Sequence, residues 1–149
     1  MPLNPDFVGR TYPPGDPYLV SSERIRAFAD AIGDANVAYR DAAAARALGY
    51  ADVVAPPTFA IVLALRASTQ VAHDPELGLD YTRVVHGEQR FAHARPIVAG
   101  DALVAVTTVE SIREAAGNDM ITTRVDISTT AGEPVCVAHS LLVSRGADA

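Results

Sequence analysis

Apolar positions change period part-way along this chain. From residue 21 to about 73 they recur at helical spacing, and from about 83 to 145 they alternate as in long strands, with no Ser- or Gly-rich linker between. In the first regime Ser21 or Ser22 can cap a helix whose Glu23 suits the first turn. Ile25, Phe28, Ala29 and Ile32 then fall at i, i+3, i+4 and i+7, and Gly33 stops it. Asp41 can cap a short second helix from Ala42 to Leu48, ended by Gly49. A third starts where Pro56 and Pro57 leave off, because proline is tolerated in a first helical turn, and runs from Thr58 to about Ala72. Its first two turns are apolar on every side, which predicts a helix wrapped by other structure.

Four strands are available to wrap it: Val84 to Ala94, Ala102 to Ile112, Met120 to Thr129 and Val135 to Val143. Turn residues separate them at Arg95-Pro96 with Gly100-Asp101, at Gly117-Asn118-Asp119, and at Gly132-Glu133-Pro134. The last three strands therefore form a meander. Helices followed by strands give an α+β class rather than α/β. An antiparallel sheet curled around one buried central helix is the hotdog architecture, and the pattern predicts that fold over a single domain, residues 1–149.

Composition narrows the function. The chain has 149 residues, 49% of them apolar, and a length of this order buries roughly 68–70% of the surface that the unfolded chain exposes. Eighteen acidic residues against twelve basic ones give a formal net charge of −6, so no positive field gathers phosphates and no nucleic-acid partner is expected. All twelve basic residues are arginine, and with 27 alanines this reads as codon bias. One cysteine, Cys136, excludes a disulfide framework and a thiolate metal cluster and suits a reducing cytoplasm. The opening residues Met1 to Asp6 lack the basic and apolar runs of a secretory signal. The longest nearly apolar stretch, Phe59 to Leu65, is broken by Arg66, far short of the roughly 20 residues that span a membrane. A cytoplasmic protein without a membrane partner is expected.

Two places hold candidate chemistry. Gly33-Asp34-Ala35-Asn36-Val37-Ala38-Tyr39 follows the first helix, and its Asp34 and Asn36 serve either as turn formers that satisfy backbone donors or as site residues. Tyr39, with an ordinary pKa of about 10, is a poor general base at neutral pH. In Val84-Val85-His86-Gly87-Glu88-Gln89 a glycine and three hydrogen-bonding side chains interrupt an apolar strand, which marks a bulge or a close approach. There His86 and Gln89 either satisfy each other and nearby backbone or carry function. His139 beside Cys136 lacks the further ligands a metal needs, and His73 and His93 read as surface or half-buried side chains.

Four ordered motifs then carry a family resemblance over nearly the whole chain. They are Gly33-Asp34-x-Asn36-x-x-Tyr39, Val54-Ala55-Pro56-Pro57-Thr58-Phe59, Val85-His86-Gly87-Glu88-Gln89-Arg90-Phe91 and Arg95-Pro96-x-x-x-Gly100-Asp101. Together they resemble the MaoC-type hydratase and dehydratase family. The likeness is to its N-terminal, non-catalytic hotdog half, which also occurs as the substrate-binding subunit of heterodimeric (3R)-hydroxyacyl-ACP dehydratases. Catalytic members of that family space an aspartate and a histidine as Asp-x-Asn-Pro-x-His and place a His-Gly pair at the start of the central helix, where the glycine N–H polarises the thioester carbonyl. This sequence keeps Asp34 and Asn36 but has Val37 and Tyr39 in the proline and histidine positions, and Pro56-Pro57 at the helix start. Proline has no N–H to donate.

The resemblance therefore implies an acyl-thioester-binding subunit of an R-specific enoyl-thioester hydratase or (3R)-hydroxyacyl-thioester dehydratase in fatty-acid metabolism. Its substrate would be an acyl-CoA or acyl-ACP. A MaoC-type partner would supply Asp and His, so hydro-lyase activity belongs to the complex and the lone chain is inactive or weak. No cofactor and no metal are implied. The expected binding residues are Thr58, Phe59, Val62 and Leu63 along the acyl chain, Pro57 at the helix start, and Asp34, Asn36, Tyr39, His86, Gly87 and Gln89 near the mouth. The strand His86 to Phe91 is the expected dimer edge. One alternative is a homodimer with its own weak activity through Asp34 and His86 as acid–base pair. Another is an acyl-thioester-binding protein without turnover in any complex.

Overall fold

The structure is a computed structural model describing residues 2–146. Three α-helices and five strands follow the sequence regimes: β1 (Tyr18–Leu19), α1 (Ser22–Ala31), α2 (Ala42–Ala47), α3 (Ala60–Ala72), β2 (Val84–His93), β3 (Ala102–Ala115), β4 (Asn118–Thr129) and β5 (Pro134–Ser144). Ser21 is the cap of α1, its hydroxyl accepting the Arg24 N–H at 3.2 Å, and Asp41 caps α2 by accepting the Ala44 N–H at 2.9 Å. Ile25 and Ala29 point α1 into the core. Ile32, expected to continue that stripe, is the C-cap instead and stays half exposed.

The strands form one antiparallel sheet in the order β1-β3-β4-β5-β2. β3, β4 and β5 are the expected meander, while β2 lies beyond β5 at the far edge. The β3–β4 turn differs from the expected one. Ala116 and Gly117 both take positive φ, 51° and 76°, the conformation of a two-residue hairpin turn that follows the sheet twist. Asn118 and Asp119, read from sequence as turn residues, are therefore already paired with Ala115 and Glu114. β1 was not foreseen, since two residues cannot display an alternation; it pairs Tyr18 with Leu103 and Leu19 with Ala102.

Helix α3 lies on the concave face of this curled sheet, entered through a 3-10 turn at Pro57–Phe59 rather than directly at Thr58. Ala60, Leu63, Ala64, Ala67 and Val71 pack inward with Val125, Ile127 and Ala138 among their buried neighbours in the core. Small residues along the inward face let helix and sheet approach closely. The wrapping is one-sided, however: Leu65 is 52% exposed, because the sheet of one chain covers only one side of an all-apolar helix. A second cluster, also absent from the sequence reading, is made by the irregular N-terminal segment. Leu3, Phe7 and Tyr12 bury against Val71, Leu77, Val109 and Ile121, and the Tyr12 hydroxyl donates to Asp74 Oδ2 at 3.0 Å. No helix among the described residues is long and apolar enough to cross a membrane.

Candidate functional site

Two cavities sit near opposite ends of α3, and the residues singled out from sequence divide between them. The first is a cleft of about 350 Å³ at the helix start, bordered by Tyr39, Tyr50, Pro57, His93 and Arg95. Gly33, with a φ of 72°, ends α1 and starts the loop that supplies Tyr39. Asp34 Oδ1 then accepts the Asn36 N–H at 3.1 Å, and Asn36 Oδ1 accepts the Ala38 N–H at 3.0 Å. These two side-chain turns carry the chain into the 3-10 turn Val37–Tyr39. Arg40 closes the loop by donating to the Asp34 carbonyl at 2.7 Å. Burial, helped by the Asp34 carboxylate and Tyr50, holds the Tyr39 phenol above its ordinary pKa. It stays protonated at neutral pH and has no capacity as a base there.

Across the cleft, the carbonyl of Pro57 accepts a hydrogen bond from His93 Nε2 at 2.8 Å. Since a carbonyl only accepts, Nε2 carries the proton. Pro57 itself offers no N–H to the cleft, so its position presents no backbone donor there. The far wall rests on the Arg95-Pro96-x-x-x-Gly100-Asp101 motif. The Arg95 guanidinium grips Asp101 with two bonds of 2.9 Å and reaches Glu133 at 2.8 Å, while Asp101 Oδ2 also accepts the Val98 N–H at 3.0 Å. That clamp holds residues 97–99 against the segment entering α3: the Ala55 N–H donates to the Ile97 carbonyl at 2.8 Å and the Ala99 N–H to the Val53 carbonyl at 2.9 Å.

The second cavity, about 270 Å³, lies under the C-terminal half of α3 and is bordered by Leu65, Ser68, His73, His86, Thr123 and Ser140, among others. Gly87 sits at a β-bulge, where the pairing of β2 with β5 shifts between His86 and Glu88. A Cβ there would meet Val143 Cγ2 at 3.3 Å and Leu141 Cδ2 at 3.4 Å, which is the close approach that the strand glycine signalled. His86 and Gln89 do not pair with each other. His86 Nε2 donates to the Glu88 carbonyl at 3.1 Å, and Gln89 Oε1 accepts the Ser140 hydroxyl at 2.6 Å.

Of the residues expected along an acyl chain, Thr58 is exposed at the helix start, whereas Phe59 is 1% exposed and packs edge-on to Phe28 and Tyr18 at 5.4 and 6.3 Å between ring centres. Val62 is half-buried against the same cluster, and Leu63 borders a third, shallow cleft beside Arg66. Tyr39 and Pro57 are thus brought together, with Asp34 acting on Tyr39 through its charge, while His86 borders the other cavity and Gln89 reaches it only through its bond to Ser140. Sequence reasoning missed Tyr50, His93 and Arg95 at the first cavity and Thr123 and Ser140 at the second. His93 was legible in part, because it keeps the strand alternation with Gln89 and Phe91. No three His, Cys, Asp or Glu side chains gather into a metal-binding group among the described residues.

Residues 6–138 match the family described as "FAS1-like, dehydratase domain region". The chain belongs to this family. A relative, the UPF0336 protein of Saccharopolyspora erythraea, is 56% identical over 146 residues, 98% of this chain and 94% of the relative. Among solved structures, a MaoC-like dehydratase matches with TM-score 0.87 and 38% identity over 95% of this chain; the FAS1-like chain spans only 43% of that longer protein. The C-terminally truncated HadBC (3R-hydroxyacyl-ACP dehydratase) complex from Mycobacterium tuberculosis matches with TM-score 0.83 and 32% identity, covering 93% of this chain and 97% of the matched one. The α+β hotdog fold expected from the sequence is thereby shown, as is the likeness to the MaoC-type dehydratases.

Proposed function

We propose that this FAS1-like chain is the acyl-thioester-binding, non-catalytic subunit of an R-specific enoyl-thioester hydratase or (3R)-hydroxyacyl-thioester dehydratase, cytoplasmic and acting in fatty-acid metabolism. A MaoC-type partner subunit supplies the aspartate and histidine. The observation that carries this reading is the composition of the cleft at the start of α3. It has the loop and helix geometry of a site, yet a protonated Tyr39 stands in the base position and Pro57 in the donor position. An oxyanion donor contributes about 10²–10³ in rate and general acid–base catalysis about 10²–10⁴, so a chain lacking both retains little turnover of its own.

Two features support assembly with a second hotdog. β2 is a ten-residue edge strand paired on one side only, with Val85 43% exposed, and such an edge is a template for another strand. The one-sided cover of α3 leaves Leu65 open beside it. The homodimeric alternative needs Asp34 and His86 to act together, and within one chain they belong to opposite ends of α3. The test is to assay crotonyl-CoA and longer enoyl thioesters with the purified chain, then with a MaoC-type protein bearing Asp-x-Asn-Pro-x-His added. Turnover is expected only in the mixture, and Asp34→Asn should alter binding at most. Full turnover by the lone chain, abolished by His86→Ala, would replace this reading with the homodimeric one.

A further inference from the structure

The largely apolar concave face of the sheet carries one band of polar side chains in register. Thr123 on β4 is paired with Ser140 on β5, and Ser140 with Gln89 on β2, so three polar side chains stand in register across three strands beneath α3. Ser140 and Gln89 satisfy each other at 2.6 Å. Thr123 does not share in this: it is 1% exposed, its hydroxyl has no hydrogen-bond partner, and it borders the cavity under the C-terminal half of α3. His86 faces the same cavity with Nε2 engaged by the Glu88 carbonyl, which leaves Nδ1 as an acceptor. Ser68 lies on the helical side.

A plain alkyl chain lying here would leave the Thr123 hydroxyl, already shut from solvent, still unsatisfied. A chain with an oxygen at that depth would pair with it. Sites built to hydrogen-bond a ligand oxygen reject the analogue that lacks it far more strongly than apolar pockets reject an extra methylene. Resting on the acyl-thioester reading above, we propose that this cavity selects acyl chains carrying a hydroxyl or carbonyl oxygen part-way along, with Thr123 as the specificity-determining residue. Its hydroxyl donates to a carbonyl, or exchanges donor and acceptor roles with a hydroxyl.

The test is calorimetric titration of the full-length chain, alone and with its MaoC-type partner, using dodecanoyl-CoA and hydroxy- and oxo-dodecanoyl-CoA that move the oxygen along the chain. At one oxygen position, binding at least about tenfold tighter than dodecanoyl-CoA is expected, equivalent to about 1.4 kcal/mol. The hydroxy and oxo series separate the two oxygen sources. Thr123→Val, which keeps the shape, should abolish the preference. Thr107→Val is the control, because Thr107 is buried and equally without a partner yet does not border the cavity. Dodecanoyl-CoA bound as tightly as every oxygenated chain, or a preference that survives Thr123→Val, would overturn the proposal while the acyl-thioester reading stands. Failure to bind any of these thioesters would overturn both.

Discussion

Removing the Asp101 carboxylate tests whether the Arg95 clamp holds the wall of the cleft. In Asp101→Ala, Arg95 loses two bonds of 2.9 Å and the Val98 N–H loses its acceptor. The Asp101 side chain is 11% exposed and that of Arg95 27%, so the pair is substantially desolvated. Hydrogen bonds to a charged group contribute about 1.5–3 kcal/mol when one partner is removed. The guanidinium is not stranded, because Glu133 and the Pro96 carbonyl continue to accept from it at 2.8 and 2.9 Å. A loss of about 2–3 kcal/mol follows, below the roughly 3–5 kcal/mol of a fully buried broken pair. For a chain of this size each kcal/mol shifts the midpoint by about 2–4 °C, so calorimetry should find Tm lowered by about 5–10 °C. Glu133→Gln is the internal standard: its carboxylate is 56% exposed, and an exposed pair of this kind contributes only about 0.2–1 kcal/mol. Hydrogen exchange at the Ala55 and Ala99 amides should accelerate in Asp101→Ala before the rest of the sheet opens. A midpoint within about 1 °C of the unmodified chain, or a loss equal to that of Glu133→Gln, would refute the reasoning.

Phe59→Ala should lower stability by about 3–5 kcal/mol in urea unfolding, since it empties the contact between Phe28 and Tyr18 at the head of α3. Gly87→Ala should stay within about 1 kcal/mol, because the Cβ meets only movable side-chain tips, whereas Gly87→Val should cost about 1–3 kcal/mol by overpacking the bulge. Burial pushes the Cys136 thiol up to about 11 from an ordinary value of 9.0, so it should resist alkylation at about pH 8 until the chain unfolds. The neutral thiol is the form the fold favours: its contribution is complete below about pH 9 and falls as pH rises towards 11, so Cys136→Ala should show less alkaline loss of stability over that window.

The sequence alone determined what depends on local pattern and on backbone chemistry. The switch from helical spacing to alternation, the caps Ser21 and Asp41, and the glycine in β2 specified three helices, a meander and a bulge, because each follows from a residue's own torsions and nearest neighbours. The missing N–H of Pro57 was equally legible, being a property of the residue wherever the chain takes it. Only the tertiary structure decided which distant residues share a cavity. It put β2 at the sheet edge beside β5, so that His86 and Gln89 left the neighbourhood of Tyr39, and it set His93 against Pro57 across 36 positions of sequence. It also drew the irregular N-terminal segment, with Leu3, Phe7 and Tyr12, onto the end of α3 and made Thr123 a hydroxyl without a partner. None of these carries a local signature, because side-chain periodicity reports which face is buried and not what lies on the other side of the contact.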